Sequence, residues 1–241
     1  MKILGIDTTS KFLCLGASDG VNIYEYNLEL GIKQSALLIP TIKRVLAALK
    51  WQVGEIDCFA LAFGPGSFTG MRVGISAVKG LSWSLEKPIL GISSLDILAM
   101  NAVALDVSVI APVVDAKRGL VYSSVYRKDG FVLERTAPYM LLAIDECIKK
   151  INGGGLNKLP AVILGDAVAL YKEEMVRKAK NAQILDRDYW YPKAGNIIRL
   201  ALERQEAGKM SNAFDIAPIY LYPKECQIKS HQGHRGHQLY R

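Results

Sequence analysis

The sequence predicts an α/β protein of two related lobes with mixed sheets. Strand-like apolar runs alternate with segments of helical periodicity along most of the chain. One cycle (a strand ending on aspartate, a hairpin, a helix, a strand, a helix) occurs twice, its leading strands closing on Asp7 and Asp115. The chain has 241 residues, 50% of them hydrophobic, enough for a sizeable core. The first lobe is placed at residues 1–104 and a smaller second one at 105–230, whose final segment is free to pack back on the first; 231–241 is expected to be a disordered tail.

Each element has a local reason. "KILGID" reads as a buried strand, and "FLCLGAS" with "NIYEYNLE" as a hairpin closed by Asp19-Gly20. From Ser35 to Leu49 the spacing turns helical, with Leu38, Ile42, Val45 and Leu49 on one stripe and Pro40 near the start, where it is tolerated. "IDCFALAF" is a strand, a glycine turn follows, and a helix runs to Leu85; "PILGISS" is a strand and 94–103 a helix. The second cycle predicts strands at "VSVIAPVVDA", "GLVYSSVYR" and "GFVLERTAPYM", the last after an Asp129-Gly130 turn. Helices over 143–151 and 167–179 flank the strand "PAVILG", and 194–206 is a final helix.

Composition narrows the function. The net charge is +7, of which +3 lies from Pro223 onward, so the body is only mildly basic. Cys14, Cys58, Cys147 and Cys226 form no C-x-x-C pair and read as free thiols of a reducing compartment. Asp7 interrupts the first apolar run too early for a signal peptide, and no stretch approaches the ~20 apolar residues of a membrane span. A cytoplasmic protein without membrane contact is expected.

The most conspicuous motif is "AFGPGSFTGMRVG", residues 62–74, where strand, glycine turn and helix follow in the order that receives an anion. It is not a P-loop, because Met71 stands where lysine is required, and not a dinucleotide fingerprint, because Thr69 replaces the third glycine. Ser67 or Thr69 is placed to cap the helix, and Arg72 in its first turn suits an external acidic partner better than the helix dipole. Gly70, Gly74, Ala77 and Leu81 trace a narrow small-residue stripe. Mid-helix glycines cost ~1 kcal/mol each, which close approach of the protein's own sheet, a partner helix, or both on different faces would offset. "RDYWYPKAG", residues 187–195, mixes aromatic and basic side chains; a loop plugged by Trp190 is preferred there to a base-stacking platform.

"GIDTTS", "GPGSFTGMRVG" continuing to "AVKG", "GISSLDILA" and "DAKRGLVY" come in the order and at the spacing of the TsaB family, which this chain resembles over roughly its first 125 residues; "APIYLYP" fits the usual ending. The resemblance implies a two-lobed actin-like, acetate-kinase (ribonuclease H-like) fold. It implies a non-catalytic subunit in tRNA modification, acting with a TsaD-like catalytic subunit and the TsaE ATPase. The product is a threonylcarbamoyl group on the adenosine 3′ of the anticodon, in tRNAs reading codons that begin with adenine, with tRNA met only through the complex. It also implies docking through first-lobe helices, for which Leu37, Thr41, Ala48, Ser67, Phe68, Gly70, Arg72, Gly74 and Ala77 are the candidates, and a homodimer when the chain is alone.

The residues themselves speak against catalysis. Residues 1–230 contain no histidine, which removes imidazole metal ligands and histidine bases from the body. Gln34-Ser35 stands where the family often has histidine, and His231, His234 and His237 lie on the tail. No catalytic residue, metal or cofactor is therefore expected. Asp7, Thr8, Thr9, Asp115 and Gly165 mark where the superfamily binds nucleotide, and weak residual nucleotide binding is left open there. Kinases of the fold prefer glycine where Thr8 and Ala116 stand, and Asp166 would repel phosphate. The rival readings are a small-molecule kinase or ATPase, which titration with ATP and Mg²⁺ would reveal, and more remotely a glycopeptidase. Truncation after Ile228 is expected to leave the reconstituted tRNA modification unchanged; loss restored by added metal would overturn this.

Overall fold

The structure is a computed structural model describing residues 1–153 and 159–223, so the tail with its histidines and Cys226, and residues 154–158, lie outside the described residues. The first sheet is built from β1 (Ile3–Asp7), β2 (Phe12–Ser18), β3 (Ile23–Glu29), β4 (Cys58–Ala62) and β5 (Ile89–Ile92), in the order β3-β2-β1-β4-β5. β1 is antiparallel to β2 and parallel to β4, and β4 is parallel to β5. β1 and β4 are continuous apolar runs because both faces of the sheet are covered. α1 (Gln34–Leu49) and α2 (Phe68–Leu85) cover one face through a cluster that includes Leu38, Ile42, Leu46, Met71, Ile75 and Val78. Each helix leaves the end of a strand running in the β1 direction, so α1 and α2 lie side by side, pointing the same way.

The second sheet holds β6 (Val109–Lys117), β7 (Leu120–Ser123), β10 (Met140–Ala143), β11 (Ala161–Leu164) and β12 (Ala182–Ile184), ordered β10-β7-β6-β11-β12. Its leading strand is again central, with antiparallel neighbours on one side and parallel ones on the other. The doubled cycle of the sequence is thus a doubled topology, the two-lobed actin-like α/β class. β8 (Tyr126–Asp129) and β9 (Val132–Arg135) form a further hairpin beside β6, while α4 (Ile144–Asn152) and α5 (Val168–Lys178) pack on the second sheet.

Three expectations need correction. "GLVYSSVYR" is not one strand: β7 pairs with the C-terminal half of β6 and β8 with its N-terminal end, the chain crossing at Ser124, whose hydroxyl donates to Ala137 O at 2.8 Å. "GFVLERTAPYM" likewise divides into β9 and β10. The segment expected as helix over 94–103 is α3 (Ser94–Ala99) followed by a 3₁₀ turn, Met100–Ala102.

After β12 the chain returns to the first lobe. α6 (Ala194–Glu206) lays Ala194, Ile197, Ile198 and Ala201 on the face opposite α1 and α2, against Ile3, Cys14, Ala60 and Leu90. Gly16 admits it, since a Cβ there would stand 2.6 Å from Ala194 O. Ser211 exchanges two backbone hydrogen bonds with Ile89 and so closes the β5 edge, and Ile219 N donates to Phe63 O at 2.9 Å. By packing, residues 194–219 belong to the first lobe. Trp190 is half-buried against the second lobe with Nε1 donating to Leu185 O at 2.8 Å, the plug arrangement. Among the described residues, no helix is long and apolar enough to cross a membrane.

Candidate functional site

Two places invite a functional reading, the turn after β1 and the exposed side of α1 and α2. At the turn, Asp7 and Thr8 are wholly buried and Thr9 is nearly so. Asp7 Oδ1 accepts from Thr9 N at 2.6 Å, the usual aspartate turn, while Oδ2 is buried without a partner. Burial pushes the Asp7 carboxyl up to about 6, against the lowering effect of the Thr9 bond.

What covers the turn is the glycine motif. Ser67 N donates to Thr9 O at 2.7 Å, Thr8 Oγ1 donates to Gly70 O at 2.7 Å, and Ser67 caps α2 by accepting from Gly70 N at 3.2 Å. A Cβ on Gly66 would lie 2.5 Å from Thr9 O; one on Gly70 would overlap Thr8 O, and one on Gly74 the Thr8 hydroxyl. The glycines exist so that α2 can seat directly on residues 7–9.

The second-lobe counterpart is also engaged. Asp115 accepts from Lys117 N at 2.8 Å and pairs with Lys117 Nζ at 2.5 Å, and its own N–H donates to Asp166 Oδ1 at 2.9 Å. Burial, which outweighs the Asp115 N–H bond, raises the Asp166 carboxyl. Gly165 has φ +117°, and a Cβ there would overlap Val113 O, so the turn sits tight on β6. Between the lobes remains a cleft of about 920 Å³, whose lining includes Thr9, Lys11, Asp115, Lys117, Arg118 and Tyr222. Of the predicted nucleotide residues, Thr9 and Asp115 line it; Asp7, Thr8 and Gly165 do not.

On the helices, three candidates are corrected. Thr41 is 4% exposed, turned inward with its hydroxyl donating to Leu37 O at 2.6 Å. Gly70 and Gly74 are buried on Thr8 of their own chain. Leu37 and Ala77 are half-buried; Ala48, Ser67, Phe68 and Arg72 are exposed. The open face is set by residues the sequence reading passed over: Ala36, Ile39, Pro40 and Ala47 on α1, and Ser76, Gly80 and Trp83 on α2. Their spacing of three and four was a usable signal, masked by the glycine stripe beside it. Trp83 is 71% exposed near the C-terminal end of α2.

Neither helix carries a single carboxylate, whereas Lys43, Arg44 and Arg72 are exposed on them, so this face is basic. Arg72 stacks 3.8 Å above the Phe68 ring and donates from Nε to Tyr220 OH at 3.0 Å. Tyr220 lies 5.4 Å from Phe68, which fixes an aromatic–guanidinium cluster at the start of α2.

The tRNA N6-adenosine threonylcarbamoyltransferase family model, TsaD, matches residues 32–229. The tRNA threonylcarbamoyladenosine biosynthesis protein TsaB of Bacillus subtilis is 31% identical over 232 residues, 95% of this chain and 97% of the relative. The chain belongs to the TsaB family. The TsaB protein of Escherichia coli is 30% identical, with 92% of this chain and 94% of that protein covered. A Pseudomonas aeruginosa crystal structure described as similar to the peptidase YeaZ superposes with TM-score 0.82 at 22% identity, covering 92% of this chain and 99% of that one, a likeness of fold. Membership in TsaB places the chain in tRNA threonylcarbamoyladenosine biosynthesis.

Proposed function

We propose that this chain is a non-catalytic subunit of the threonylcarbamoyl-transfer machinery, pairing through the exposed face of α1 and α2 with a TsaD-like transferase and working beside the TsaE ATPase. The transferred group goes to the adenosine 3′ of the anticodon in tRNAs that read codons beginning with adenine, and tRNA is met through the complex. The observation that carries the reading is the open face of α1 and α2, which carries no carboxylate. Gly70 and Gly74 seat α2 on Thr8 and so fix which side of the helix is left outward. The same helix presents Ser76, Gly80 and Trp83 outward on a basic face free of carboxylates, which suits an acidic partner surface of helices. Small residues at 36, 47, 76 and 80 permit the close approach of a four-helix arrangement. In the absence of the partner, two copies would meet through the same face at high concentration.

Ser76→Glu tests this. The position is exposed, so the monomer keeps its fold, while a carboxylate there meets the acidic partner surface. Affinity for the TsaD-like subunit is expected to fall at least about tenfold, with tRNA modification falling in step. Co-elution at wild-type affinity would remove this face from the proposal. Turnover of ATP by the isolated chain in Mg²⁺ would favour the kinase reading instead.

A further inference from the structure

A second cavity, of about 300 Å³, lies at the seam of the lobes and shares no lining residue with the cleft. We propose that it binds a small zwitterion of the α-amino-acid class. Its floor is a fully engaged carboxylate. Asp96 Oδ1 accepts from Tyr126 OH at 2.7 Å and Tyr139 OH at 2.9 Å, and Oδ2 accepts from Arg204 Nη2 at 2.9 Å. Arg204 also donates from Nη1 to Gly91 O. Asp96 comes from α3, Tyr126 from β8 and Arg204 from α6, so this floor ties the second sheet to the first lobe.

Around the floor the charges are uncommitted. Among the described residues, Arg135, Lys209 and Glu203 line the cavity and enter no salt bridge. The Arg135 guanidinium carbon stands 4.0 Å from the centre of the Tyr139 ring, and its N–H groups meet no carboxylate among the described residues. Both tyrosine hydroxyls spend their hydrogen on Asp96. The free donors are therefore the guanidinium of Arg135 and the ammonium of Lys209, and the free acceptor is the carboxylate of Glu203. Partial burial raises the Glu203 carboxyl, offset in part by the neighbouring Arg204.

One ligand chemistry satisfies all three groups. A carboxylate takes Arg135 and Lys209, an ammonium group takes Glu203, and a short side chain rests on Leu133 and Leu200. A plain anion would leave Glu203 facing like charge. The volume stands at the small end of ligand pockets, roughly 300–1,000 Å³, which fits a metabolite rather than a nucleotide. Arg135 is contributed by β9 and Glu203 by α6, so a bound zwitterion would bridge the lobes.

Isothermal titration and thermal melting of the full chain with L-threonine, glycine and malonate decide it. The expected result is saturable binding of at least one amino acid with a raised melting temperature. Arg135→Gln and Glu203→Gln should each weaken it about tenfold or more, whereas Lys117→Gln in the cleft leaves it unchanged. Arg135 and Glu203 are exposed, so the unliganded variants should melt as the wild type does; Arg135→Lys and Glu203→Asp replace them if they do not. Absence of saturable amino-acid binding up to about 50 mM would overturn the proposal. So would malonate binding that Glu203→Gln does not weaken, which would make this an anion site only.

Discussion

Gly70→Ala is expected to cost about 4 kcal/mol of folding stability, combining overpacking with loss of buried hydrogen bonds. The added Cβ overlaps the carbonyl oxygen of Thr8, which is backbone and cannot rotate aside. α2 must then lift from residues 8 and 9, breaking the bonds Thr8 Oγ1 makes to Gly70 O and Ser67 N to Thr9 O. For a chain of this size that corresponds to a fall of roughly 10 °C in melting temperature. Gly80→Ala in the same helix is the control. Nothing lies within 4 Å of its Cβ position, so only helix propensity changes and stability rises by about 1 kcal/mol. Equal effects of the two substitutions in a denaturant titration would show that the glycines are not there for close approach.

Asp7→Asn is expected to stabilise the protein above pH 6. The folded carboxyl titrates at about 6 against 3.8 for the ordinary value, so the folded state holds the proton more tightly than the unfolded one. The sign follows: ionising Asp7 costs stability, which falls as pH rises from 3.8 to about 6 and stays reduced above. The penalty is about 3 kcal/mol at 1.36 kcal/mol per pKa unit, and a neutral amide removes it. Asn Oδ1 keeps the Thr9 bond, and its NH₂ is left unpaired in the place where a protonated Asp7 also lacks an acceptor. The variant and the wild type should therefore agree within about 1 kcal/mol at pH 3 and separate at pH 8. Urea unfolding at both pH values measures it, and a less stable variant at pH 8 would contradict the buried, unpartnered carboxylate. A magnesium-ligand role would instead show as activity lost by orders of magnitude at unchanged stability.

The doubled cycle was legible because buried strands and amphipathic helices differ in period, and the two halves repeat that contrast. The crossing at Ser124 was not, since strand-forming Val and Tyr stand on both sides of it and no glycine or proline marks a break, while the pairing partner changes from one end of β6 to the other. β12 was missed because three residues carry too little pattern. On α1 and α2 the sequence displays small residues but not which side faces inward. Gly70 and Gly74 answer to the Thr8 turn, a contact made 62 residues away along the chain, and that phase moves the open face to Ser76, Gly80 and Trp83. The unpaired oxygen of Asp7 and the uncommitted charges around Asp96 depend on packing between distant segments, and nothing local announces them.

The return of α6 to the first sheet has a consequence for synthesis on the ribosome. Residues 3–92 supply every strand of that sheet, yet one of its faces lacks its long covering helix until residues 194–206 have been made. At about 5–20 residues per second the wait is roughly 6 to 23 s, during which Ile3, Ala60 and Leu90 lack the cover of α6. The β5 edge stays open as long, since Ser211 comes later still. The nascent first lobe thus presents apolar sheet surface throughout that interval, and a ribosome stalled before residue 194 would carry an aggregation-prone half-protein.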